Sequence, residues 1–240
     1  MLARIVDARA TRDLDFAASD NPSAESALEE MKQLAAIDLG DWCHFELTKY
    51  KESLDENGYS RLLKLRFATY VGSEEKDPIL IDLSLDCSPT LPPERITPVN
   101  RTSLPGIEAC DYLAYSLTDQ LADKFCAIME RQPGDRPSSR MKDLVDVVIC
   151  ALNKDVYLGQ LSTAMGCECV KRKMETPEQF EAPSEWKESF AIFAKKCNVP
   201  TEYCTFADAS KLASRFFNPA LSRTSLDASQ KWDHTSLRWA

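Results

Sequence analysis

Two aspartates stand one residue apart in the stretch Ala10-Thr11-Arg12-Asp13-Leu14-Asp15-Phe16. Extended backbone sends alternate side chains to the same face, so a strand here would set both carboxylates side by side, with Leu14 and Phe16 free to face a core. Like charges so placed repel, and oxygen ligands on a rigid strand suit a hard divalent cation such as Mg²⁺. A third acid, Asp82, occupies the polar face of "ILIDLSL", with apolar neighbours on both sides. Two carboxylates on one strand and one on another make a metal-assisted phosphoryl or nucleotidyl transfer site. The plainer alternative is a solvated D-x-D at a strand end.

A second group lies further along the chain. Lys124 falls within the apolar stripe formed by Leu117, Leu121, Phe125 and Ile128. A lysine there must snorkel out, pair with an acid or hold a ligand phosphate. In "KDLVDVVICAL" the charged residues after Lys142 are Asp143 and Asp146, which are helix neighbours at a spacing of three. The dipole favours Asp143 near a helix N-terminus, whereas Asp146 is deeper. Arg140, just upstream, offers a cationic partner.

The elements that would position these residues follow from periodicity. Residues 22–36 read as a helix starting near Pro22 and Ser23, with Leu28, Met31, Leu34 and Ala35 on its apolar side. Strands are expected at 44–54, 61–71 and 77–87, the last after the turn "GSEEKDP". Leu63, Leu65 and Phe67 alternate with Lys64 and Arg66. Ile79, Ile81, Leu83 and Leu85 oppose Leu80, Asp82, Ser84 and Asp86. After the proline-rich stretch 88–98 the pattern turns helical, at 116–132, 138–154, 157–173, 184–198 and 206–221. The implied class is α+β: a small mixed sheet in residues 1–100, a helical bundle in 101–221, and a polar tail over 222–240 that Trp232 and Trp239 could anchor.

Composition narrows the field. A chain of 240 residues with 44% hydrophobic content can bury a real core. No apolar run reaches bilayer length and no signal core opens the chain, so a cytoplasmic protein without membrane contact is expected. The net charge of −9 argues against coating nucleic acid through a long-range field, although basic clusters remain at 61–66, at 170–173 and around Arg136, Arg140 and Lys142. The cysteines, nine in number, read as reduced thiols, and Cys167 and Cys169 lack a second pair at zinc-site spacing. Seven scattered glycines form no phosphate loop, and His44 and His234 have no triad context.

Read in order, "RATRDLDF" (9–16), "ILIDLS" (79–84), "LADKFCAI" (121–128) and "RMKDLVD" (140–146) resemble the AbiEii-type nucleotidyltransferase toxins. That group falls within the DNA polymerase β-like nucleotidyltransferase superfamily. The later "PEQFEAPSEW" and "FFNPAL" are similar to its C-terminal half. The resemblance implies Mg²⁺-dependent transfer of a nucleotide from an NTP to an acceptor such as a tRNA 3′ end, by the toxin of a toxin–antitoxin or abortive-infection system. Carried over, it implies metal binding by Asp13, Asp15 and Asp82, and contact of Lys124 with the triphosphate. Asp146 would be the essential acid, with Asp143 as the alternative, and Arg12 and Arg140 would be supporting nucleotide contacts. A cognate antitoxin is an expected partner. The family's Gly-Gly or Gly-Ser turn, roughly ten residues before the D-x-D and suited to phosphate at a helix–strand junction, would fall before Met1. The chain is therefore expected to lack it, and the alternative is a catalytically impaired relative that binds nucleotide or protein.

Overall fold

The computed structural model describes residues 2–6, 13–54, 58, 60–99, 110–222 and 227–240. Its contacts divide these into two compact units, one formed by 13–88 and the other by 2–6, 89–99 and the residues from 110 onward. The architecture is the expected α+β: a mixed sheet followed by a helical region.

The first unit carries strands β1 (Asp13–Ala17), β2 (Cys43–Leu54), β3 (Arg61–Val71) and β4 (Glu74–Ser84), in the order β1-β4-β3-β2. β1 runs parallel to β4, and the other neighbours are antiparallel. Alternation holds on β3 and β4: Leu63, Leu65, Phe67, Ile81 and Leu83 are buried together, whereas Lys64 and Arg66 are exposed. The β3–β4 turn is tighter than the sequence predicts. It needs only Gly72 and Ser73, because Gly72 takes φ +60°, which costs a residue without Cβ little. Pro78 then sits at an irregularity of the β3–β4 ladder between Ile79 and Lys76, where a missing N–H is tolerated.

Helix α1 (Ala24–Ala35) starts where Ser23 Oγ accepts a hydrogen bond from the Ser26 N–H at 3.1 Å. It packs Ala27, Leu28, Met31 and Ala35 on the apolar sheet face. Leu34, expected on the same side, is instead 53% exposed. Leu14 and Phe16 depart further, at 43% and 46% exposure rather than in the core. Both lie on β1, an edge strand among the described residues, and α1 covers the buried residues of β3 and β4.

The second unit contains strands β5 (Glu94–Ile96) and β6 (Tyr112–Ala114), then helices α2 (Leu117–Met129), α3 (Met141–Asn153), α4 (Leu158–Lys171), α5 (Lys187–Lys196) and α6 (Phe206–Leu221). The buried Arg4 ties the start of the chain in, donating to Tyr115 O at 2.7 Å and Glu94 at 2.8 Å. Ser116 caps α2 by accepting from Asp119 N at 2.9 Å. The core is continuous through α2, α3, α4 and α6, with Phe125, Phe180 and Phe217 in mutual ring contact. All nine cysteines are free, and Cys126 and Cys169 bring their sulfurs to 3.7 Å inside this core.

A hairpin of β7 (Trp232–Asp233) and β8 (Arg238–Trp239) closes the unit. Trp232 is fully buried, donates from Nε1 to Ala151 O at 2.8 Å and meets Phe216 edge-on at 4.9 Å. Its backbone N–H donates to Val156 O at 2.8 Å. Trp239 packs on the same core and donates from Nε1 to Phe216 O at 3.2 Å, so two indoles with satisfied donors help dock this segment.

Candidate functional site

The first constellation lies on the sheet face opposite α1. Parallel pairing sets Asp15 directly opposite Asp82, and Asp13 opposite Leu80. Residues opposite one another in a ladder share a face, and neighbouring strands run about 4.8 Å apart. Two carboxylates from β1 and β4 are thus brought side by side, which the sequence could propose but not register. The side chain of Asp13 and all of Arg12 lie outside what the structure describes.

The antiparallel β3 adds a residue that sequence reasoning left out of the site. Lys64 is opposite Asp82 and donates from Nζ to its Oδ2 at 3.0 Å. The row across the sheet therefore reads Lys64, Asp82, Asp15. The period-two alternation of β3 could have found Lys64, once β3 and β4 were joined as a hairpin.

The second constellation lies in the helical unit. Lys124 Nζ donates to Asp143 Oδ1 at 2.7 Å and to Asp146 Oδ2 at 2.9 Å. Arg140 Nε donates to Asp143 Oδ2 at 2.8 Å. Both carboxylates are at 1% exposure, whereas the lysine retains 15%. Of the three outcomes open for Lys124, pairing with acids is the one found, and both acids of "KDLVD" take part. The loop before α3 is held for this purpose. Ser138 Oγ donates to Ala127 O at 2.6 Å and accepts from Arg140 N at 3.1 Å, and Trp186 Nε1 donates to Ser138 O at 3.1 Å.

Opposed forces set the protonation states here. Burial works to lower the pKa of Lys124, but the carboxylates of Asp143 and Asp146 outweigh it and hold the ammonium above its ordinary value. Burial likewise pushes the Asp143 carboxyl up, and Lys124 with Arg140 overcomes it, holding Asp143 below the usual range. An ammonium has three N–H donors, and two are committed to these acids. The third, on a side chain that still reaches solvent, could serve an anionic oxygen.

A cluster of metal-ligand types also occurs elsewhere: Asp155, Asp233 and His234 bring ligand atoms within 4.8 Å of one another. Its atoms are already used. Asp155 bonds His234 Nδ1 at 2.6 Å and pairs with Lys231 at 2.9 Å, while Asp233 accepts from Thr235 and Ser236. The Asp155 contacts fasten the C-terminal hairpin to the α3–α4 connection, and those of Asp233 stay within the hairpin turn.

The family model described as "Nucleotidyl transferase AbiEii toxin, Type IV TA system" matches residues 1–214, which takes in the whole sheet unit and the helices into α6. The chain belongs to this family. No curated protein matches it. Membership of the AbiEii family makes the chain a relative of nucleotidyl transferase toxins that act within type IV toxin–antitoxin systems. The AbiEii match contains both constellations, and the hairpin at 227–240 lies beyond it. No helix among the described residues is long and apolar enough to cross a membrane.

Proposed function

We propose that this chain transfers a nucleotide from an NTP to an acceptor hydroxyl, such as that at a tRNA 3′ end, in an Mg²⁺-dependent reaction. The observation that carries this reading is the in-register pair Asp15 and Asp82 on adjacent parallel strands, within an AbiEii family chain. Adjacent carboxylates on rigid backbone fit a hard divalent cation, and Asp13, Asp15 and Asp82 would hold it. When bound, Mg²⁺ supplies charge neutralisation for the phosphates of the NTP.

The rest falls to side chains. In the transfer, the acceptor oxygen forms a bond to the α-phosphorus, the α–β anhydride bond breaks and pyrophosphate leaves. A carboxylate of the sheet group takes the hydroxyl proton. By family resemblance Lys124 would contact the triphosphate, and within the helical unit Asp143 and Asp146 keep it charged and fix its direction. Arg140 orients Asp143 and contributes a further positive charge. Arg12 has a supporting role by family resemblance. The cognate antitoxin is the expected protein partner.

The test is incubation of the full chain with labelled NTPs, Mg²⁺ and total tRNA. Label should appear in RNA with the native chain and vanish with Asp82→Ala. Transfer that survives Asp82→Ala sinks the metal assignment. Absence of label from RNA, with label on a protein fraction instead, replaces the acceptor class.

A further inference from the structure

The sheet face that carries Asp15 and Asp82 also carries four exposed cations. Lys49 on β2 lies directly opposite Arg66 on β3, and Lys51 lies directly opposite Lys64. Arg66 in turn lies opposite Leu80, and Lys64 opposite Asp82. Two consecutive rows therefore run from lysine through a second cation to β4 and β1, ending at Asp13 and Asp15.

This placement is costly without a ligand. Like charges directly opposite on neighbouring strands destabilise a sheet, and here two such pairs adjoin. The chain as a whole carries −9, so carboxylates abound that could have been interspersed. Yet Lys64 alone of the four makes an ion pair among the described residues. On the same face the cations are bounded by Glu46, opposite Ala68, beyond Thr48. Positive charge is thus confined to a patch beside the acids.

We infer that Lys49, Lys51, Lys64 and Arg66 form the surface that holds the phosphodiester backbone of a nucleic-acid acceptor. The choice of occupant rests on the nucleotidyl transfer reading above, and charge complementarity supplies the rest. The two rows are spaced about 6.7 Å along the strands, the scale of one nucleotide step in an extended strand. From β3 to β1 the sheet spans about 10 Å, so phosphates held by Arg66 and Lys64 leave the strand's terminus over the carboxylates. The lysines of β2 extend the track outward by one more strand. An acidic protein partner would meet the same cations, but nothing in it would need to end at Asp15 and Asp82.

The experiment uses the full chain and a fluorescein-labelled single-stranded RNA of about twelve nucleotides, a length spanning such a track. Anisotropy is followed from about 50 to 200 mM salt, because each neutralised phosphate on a single strand contributes about 0.7 to the salt slope. The triple variant K49Q/K51Q/R66Q should lower that slope by about 2. It should raise the acceptor KM about tenfold or more while leaving the NTP KM unchanged. Its melting temperature should hold or rise, since like-charge pairs are removed, which separates lost binding from lost folding.

An unchanged slope, an unchanged acceptor KM or no RNA binding by the native chain overturns the proposal. Polyglutamate binding in place of RNA also overturns it and assigns the patch to an acidic protein. Equal binding of DNA supports backbone readout. Preference for RNA supports it with added 2′-hydroxyl contacts. The two readings fail separately. Cation-dependent RNA binding without any nucleotide transfer removes the activity and keeps the surface. Transfer to RNA by an unimpaired triple variant does the reverse.

Discussion

Replacing Lys124 with methionine removes the ammonium from a cage of two carboxylates at 1% exposure while keeping most of the side-chain volume. Arg140 still reaches Asp143, but Asp146 loses its lysine. Breaking a buried ion pair by deleting one partner costs about 3–5 kcal/mol, against a total folding stability of about 5–15 kcal/mol. The variant should therefore unfold at much lower urea with an unchanged m-value. The pH dependence has a definite sign. The raised pKa of Lys124 contributes stability that is complete below the unfolded value near ~10.4 and is lost as pH rises through the folded value. The lowered pKa of Asp143 contributes stability present above ~3.9 and lost as pH falls through its folded value. In the variant, only Arg140 opposes the burial that pushes the Asp143 carboxyl up, so Asp143 protonates sooner and the deficit should narrow toward acid pH. The gap between the two proteins should be widest from about pH 5 to pH 9. Removing both charges, as Lys124→Met with Asp146→Leu, should recover much of the loss. A single substitution costing under about 1 kcal/mol, or a double variant no more stable than the single, refutes the cage.

Other outcomes follow from the same geometry. Asp82→Asn breaks only a partly exposed pair with Lys64, so urea unfolding should move by about 1 kcal/mol or less while nucleotide transfer is abolished. Trp232→Ala empties a fully buried indole site and strands the Ala151 carbonyl, and should cost about 3–5 kcal/mol in the same assay. Lys231 and His234 hold the Asp155 carboxyl well below the usual range, so its contribution is present above ~3.9 and lost only as pH falls through that depressed value. Tryptophan fluorescence from the hairpin should accordingly stay native to pH 4 and below in the native chain, and change at higher pH in Asp155→Asn.

Much of the fold is written in local pattern. Period-two alternation placed Leu63, Leu65, Ile81 and Leu83 on one face and Lys64 and Asp82 on the other, because each neighbour on a strand points the opposite way. Ser23 marked a helix start through a hydroxyl acting on the next turn, a contact within a few residues, and the structure shows Ser116 doing the same at the start of the 116–132 pattern. The same local reasoning gave Leu14 and Phe16 the face they share with Ile81 and Leu83 but not their exposure, and it misjudged Leu34. Being apolar makes a side chain available for burial, but among the described residues β1 is an edge strand and α1 the covering helix, which limits how much can be buried.

The sequence by itself determined which residue types were present, their faces on each element and, through ordered motifs, the family. Tertiary structure alone decided which faces meet: that Asp15 aligns with Asp82, that Lys124 lies between Asp143 and Asp146, and that lysines of β2 stand opposite cations of β3. Register and helix pairing join residues far apart in the chain. They are set by the combined packing of many side chains, whereas a motif reports only its own few positions.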